Sequence, residues 1–256
     1  MMQFHLNDLS GLVLVYLLVF ARTGAMIMLL PGIGGSTGVP PRVRLLLALG
    51  ISFALAPELA HLYPVQAPSN IFALGFLIIQ EVVAGLLVGA MSQIIMSSLQ
   101  VAGSLIATQT GLAYAQQVDP MMGEQSAVVS NFLTLLGTVL IFAANLHHLA
   151  IGAIQGSYTL LPPGAPLPTG DMAELTVRLV SGAFLLGIQL AAPFLILGFA
   201  VNASMGLLAR MMPQLQVFFI AAPINIMAGF LLLMLVLSTM MTLFLNYFAT
   251  QMGSFG

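Results

Sequence analysis

The sequence predicts an all-α integral membrane protein made of helical hairpins and long, kinked helices. Three observations predict it: a near absence of charge, apolar runs of helical length separated by Gly/Pro clusters, and small or polar residues recurring at helical spacing inside those runs.

Of 256 residues 60% are apolar and 5% charged, with five basic residues, all Arg, and seven acidic ones. A soluble domain carries about 25% charged residues. A folded monomer of 27.0 kDa exposes on the order of 10,800 Å², which leaves about one charge per 900 Å². Water does not support such a surface, so soluble enzymes, nucleic-acid modules and disordered linkers are excluded. The formal net charge of −2 comes without any basic run, so neither nucleic acid nor anionic headgroups are attracted strongly. Cysteine is absent, which removes disulfides, thiolate nucleophiles and Cys-ligated metal sites. Residues 1–8 hold no Lys or Arg and no small-residue cleavage site, so the first apolar segment is expected to be retained rather than cleaved as a signal peptide.

Six apolar segments are expected, at about 9–30, 45–57, 71–113, 126–160, 172–209 and 215–250. Gly/Pro clusters at 32–41, 57–69, 116–125, 161–171 and 210–214 separate them. The first carries Arg22, which must snorkel or find a partner, Glu81 being one candidate. The second reaches only about 20 Å, too short for a hydrocarbon layer of about 30 Å. The third is too long: 82–118 is a run of 37 uncharged residues, about 55 Å if wholly helical. Such segments must fold back, kink, or run beyond the lipid where other protein covers them.

Within the third segment Gly85 and Gly89 form a small-xxx-small pair for close helix approach. Gln93, Ser97, Gln100, Ser104, Thr108 and Gly111 then recur at steps of three and four, a narrow polar stripe on one face. Intrachain packing, an intersubunit seam and a hydrated pore wall all fit that stripe. The fourth segment contains the adjacent His147 and His148, read as a hydrogen-bonded helix end because no acidic residue lies within 20 positions of them. In the fifth, Gly198, Asn202, Gly206 and Arg210 recur every four residues. Pro193 and Pro223 each free a carbonyl, so kinks are expected there. From Asp171 onward the chain reads as an antiparallel hairpin turning at 210–214. In an alternating six-span scheme Arg42, Arg44 and Arg210 fall on one side and Arg178 on the other, which places both termini away from the cytoplasm.

Chemistry is sparse. The sequence has no GxxxxGK[ST], HExxH, GxSxG or DxDxDG pattern, so no catalytic residues, metal site or cofactor are expected. Glu81, as an intramembrane carboxylate, suggests either proton handling or a structural pair with an Arg. The 17 Met are read as adaptable packing, with a deformable seal as the alternative.

Four stretches together resemble the FliR family of the flagellar type III export gate and its virulence counterparts: PPRVRLLLALG at 40–50, EVVAGLLVG at 81–89, GSLIATQTGLAYAQQVDP at 103–120 and ARMMPQLQVFFIAAPINIMAGF at 209–230. The resemblance implies a non-enzymatic, multi-pass subunit of the bacterial inner membrane and flagellar basal body. Its implied partners are FliP, FliQ, the export-switch protein FlhB, rod proteins, membrane lipid and the unfolded exported proteins, with no nucleic acid. It divides the chain into a FliP-like part, 1–170, and a FliQ-like hairpin, 171–256, and implies a core raised largely out of the lipid, which undercuts the Arg-based topology. It also implies a channel plug at about 106–120, carried by Ile106, Gln109, Gly111, Tyr114, Gln117, Asp119 and Pro120. Gln117 stands where some members place a second aromatic. Gly85, Gly89, Ser97, Gln100, Ser104, Gly198, Asn202 and Gly206 are the expected helix-packing or intersubunit positions, and Arg210, Pro213 and Gln214 the hairpin tip. The competing reading is a small-solute secondary transporter driven by protonation of Glu81.

Overall fold

Apolar runs become helices here because a backbone away from water satisfies its N–H and C=O groups most simply within one segment. The computed structural model describes residues 6–35, 39–63, 70–112, 128–211 and 217–253. Among them the chain is all α, without a strand: α1 Leu6–Ile27, α2 Pro41–Leu59 with a 3-10 turn Ala60–Leu62, α3 Ile71–Gln109, α4 Val128–Ala143, α5 His147–Leu160, α6 Thr169–Met211 and α7 Val217–Gly253.

Local chemistry sets the ends. Pro41 opens α2 at a position whose N–H has no helical partner anyway. Asn70 precedes α3, its Oδ1 accepting from the Phe72 amide at 3.0 Å, as a helix cap does. Asp171 lies in the first turn of α6 and Arg210 in its last, each with the sign that the helix dipole favours there.

Two expectations change, and one open choice is settled. The second segment is not too short, since α2 and its 3-10 turn give a predominantly apolar stretch of 22 residues, Pro41–Leu62, long enough to span. Arg44 does not block the helix because it turns back, its Nε donating to the Val39 carbonyl at 2.8 Å and a terminal nitrogen to that of Gly35. Pro57 lies inside the helix near its end rather than terminating it. The fourth segment is two helices with a sharp bend between them. Asn145 takes φ 58 at the break, a left-handed conformation that Asn tolerates better than most residues. The long segments do not fold back: α3, α6 and α7 run unbroken for 39, 43 and 37 residues, with Pro193 inside α6 and Pro223 inside α7.

Contacts divide the chain into two compact units. The first comprises Met1–Ile94, Phe142–Leu179 and Phe248–Gly256. Its core is Leu18, Val19, Met26 and Ile27 of α1 with Ala84, Val88 and Met91 of α3 and Ala153 and Ile154 of α5, all buried. The second comprises Ile95–Ile141 and Val180–Tyr247, with Ile95, Leu99 and Ile106 of α3, Leu133 of α4, Phe194 of α6 and Phe244 of α7 buried. Here Gly103 admits α4: a Cβ on it would meet the Ser130 amide at 2.6 Å. Among the described residues four helical stretches are long and apolar enough to cross a membrane, or five if the bent α4–α5 pair counts as one.

Candidate functional site

In the first unit the chemistry collects around Arg22. Its Nε donates to Glu81 Oε2 at 2.6 Å, Nη1 to Ser157 Oγ at 3.2 Å and Nη2 to the Leu161 carbonyl at 2.9 Å. The guanidinium carbon lies 3.8 Å over the Tyr158 ring, a cation–π contact in a desolvated setting. Tyr63 closes the cluster, its hydroxyl donating to that of Tyr158 at 3.3 Å. Burial holds the Tyr63 phenol above its ordinary range, so it stays a donor. Arg22 is 2% exposed and Glu81 0%, which makes the pair inaccessible to solvent. Glu81 Oε1 has no hydrogen bond.

The glycines explain how the pair can close. Gly85 follows Glu81 by one turn, and a Cβ on it would overlap the Arg22 carbonyl. Gly89, another turn on, would meet the Met26 carbonyl at 2.9 Å. Residues 81, 85 and 89 thus present one nearly flat face of α3 to α1. Gln93 continues the line, its Nε2 donating to the Leu29 carbonyl at 2.7 Å. The small-residue pair read from the sequence is therefore an α1–α3 seam within this chain.

The polar stripe further along α3, in the second unit, is different. Gln100, Ser104 and Thr108 are exposed and Ser97 is half-buried. Ser104 donates back to the Val101 carbonyl at 2.8 Å and Thr108 to that of Ser104 at 2.9 Å, so their hydroxyls are satisfied within the helix. On α6, Gly198 is buried while Asn202, Gly206 and Arg210 are exposed. Large apolar side chains stand out around them and on α7, including Phe199 at 77% and Met234 at 80% exposure.

Of the plug positions, Ile106 is 2% exposed, Gln109 is half-buried and Gly111 takes φ 80. Tyr114, Gln117, Asp119 and Pro120 lie outside the described residues, as do Pro213 and Gln214 of the hairpin tip. His147 opens α5, its ring stacked on Phe142 at 5.1 Å and 4.2 Å from that of His148. The described residues hold no group of three or more His, Cys, Asp or Glu able to share a metal. Sequence reasoning misses Tyr63, Ser157 and Tyr158. No spacing rule could place them at Arg22, since Ser157 lies 135 positions away.

With this geometry in view, comparison with known proteins is decisive. The family model described as bacterial export proteins, family 1, matches residues 13–251. The chain belongs to that family. Over 226 residues, 88% of this chain and 89% of the relative, this family-1 export protein is 43% identical to the flagellar biosynthetic protein FliR of Caulobacter vibrioides. It is 35% identical to Escherichia coli FliR over 193 residues, 75% of this chain and 72% of the relative. Against the Yop proteins translocation protein T of Yersinia pestis it is 29% identical over 238 residues, 90% of this chain and 88% of the relative. The chain is thus a FliR-type member of the type III export family, and its long apolar helices make it a multi-pass protein of the bacterial inner membrane.

Proposed function

We propose that this chain is a non-catalytic subunit of the flagellar export gate, assembling with FliP- and FliQ-type subunits around the path of unfolded flagellar proteins and meeting an FlhB-type switch protein at the tip of its α6–α7 hairpin. One observation supports this reading above the rest: α3 and α6 are unbroken over 39 and 43 residues, about 59 and 65 Å, roughly twice the hydrocarbon thickness. Lipid cannot cover such helices from end to end. Their remaining length needs protein neighbours, and the exposed apolar side chains of α6 and α7 offer those neighbours a surface.

Work at such a gate is mechanical. A segment at about 106–120 holds the constriction shut, and an arriving polypeptide shifts it by contacts it makes only with the open form. Glu81 serves structure in this reading, since its charge is matched by Arg22. The test is the particle mass after co-expression with the FliP and FliQ partners in detergent. A large complex of fixed stoichiometry is expected; a 27.0 kDa monomer or small dimer overturns the proposal.

A further inference from the structure

The C-terminus of α3 shows how a gate of this kind could be set. A helix leaves its last four carbonyls without intrahelical partners. Here three of them are met locally: Ile106 accepts from the Thr110 amide at 2.9 Å and from its hydroxyl at 2.8 Å, Ala107 accepts from that hydroxyl at 3.4 Å, and Thr108 accepts from the Gly111 amide at 3.3 Å. Gly111, at φ 80, makes the left-handed turn that ends helices in this way. The fourth carbonyl, that of Gln109, is met from far off: Asn225 Nδ2 on α7 donates to it at 3.0 Å across 116 residues.

The same turn is seated against glycines on both arms of the hairpin. A Cβ on Gly198 of α6 would stand 3.0 Å from Gln109 Cδ, and one on Gly229 of α7 would stand 2.9 Å from Thr110 Cβ. Gly229 is one turn beyond Asn225, on the same face of α7. Asn225 also keeps its Oδ1 buried without a partner, a cost that a residue serving only packing would not need to carry.

We propose that Asn225 is a positioning residue of the gate: with Gly198 and Gly229 it clasps the last turn of α3 and so fixes where the chain leaves that helix toward the closing segment. The clasp acts through that segment and rests on the reading given under Proposed function.

The test measures closed-state ion conductance of the reconstituted complex. Asn225→Leu keeps the branched heavy-atom shape in a bulkier side chain and removes the donor; Asn225→Asp keeps shape and size and, ionised, removes the donor. Both are expected to raise leakage about tenfold, the weight of one net hydrogen bond. Since the chain has no cysteine, a Thr110→Cys/Gly229→Cys pair can then close the same seat covalently once the two Cβ positions, 2.9 Å apart, ease out to the about 3.5–4.5 Å that a disulfide needs. Oxidation should return the Asn225→Leu variant to wild-type tightness, and reduction should restore the leak. The clasp is overturned, and the gate reading kept, if both Asn225 variants are as tight as wild type while a chain shortened within 113–120, which leaves the clasped turn in place, leaks. It is also overturned if the disulfide forms without reducing the leak, or if neither variant assembles. If the shortened chain is itself tight, the gate reading falls and the clasp with it.

Discussion

Arg22 and Glu81 are 59 residues apart in the chain and meet at 2.6 Å with side chains 3% and 1% exposed. Two buried charges recover their lost hydration only when both are present and well hydrogen-bonded, so such a pair adds little net stability while the loss of one member is costly. Arg22→Met should therefore cost about 3–5 kcal/mol by stranding the carboxylate, whereas Arg22→Met with Glu81→Leu should recover most of that loss. Thermal unfolding of the purified complex separates the two cases; equal melting of single and double variants would refute the pairing as the cause.

Glycines in these helices divide by what surrounds them. Gly85 is pressed on the Arg22 carbonyl, while a Cβ added at Gly50 in α2 would meet nothing within 4 Å. Gly85→Ala should force α1 and α3 apart and lower the melting temperature. Gly50→Ala should be neutral or stabilise by up to about 1 kcal/mol, through helix propensity alone. The same melting curves decide it, and a loss at both positions would contradict the distinction.

Gln100 and Ser104 face outward on α3. Replacing both by Leu should leave the chain's own stability within about 0.5 kcal/mol, as surface changes do, while lowering the yield of the assembled complex. Normal assembly and normal export together would remove the stripe from any shared interface.

Shortening the segment within 113–120, beyond the end of α3 at Gln109, should raise ion leakage through reconstituted gates with assembly intact. An unchanged conductance would count against its closing role.

Much of this is legible in the chain itself. Charge poverty names the solvent, and periodicity finds the helices. The i, i+4 spacing of Gly85 and Gly89 marks a close helix approach before its partner is known. Boundaries are less legible where a signal is ambiguous: Pro57 reads as a stop yet sits near the end of a helix that tolerates one missing N–H. The break at Asn145 escapes a search for Gly/Pro clusters because none stands there, although Asn between apolar residues and a His pair is a residue that accepts φ 58 readily.

What the sequence by itself determined is the class of the molecule: an all-α membrane protein whose apolar runs are longer than a bilayer span, with Arg22 and Glu81 as candidate buried charges. Only the tertiary structure decided who meets whom. Ser157 and Leu161 at Arg22, and Asn225 at the Gln109 carbonyl 116 residues away, follow from how helices pack. Periodicity says which face of a helix is turned inward, but the identity of the group opposite depends on the azimuth and axial offset of two helices, and no local pattern encodes either.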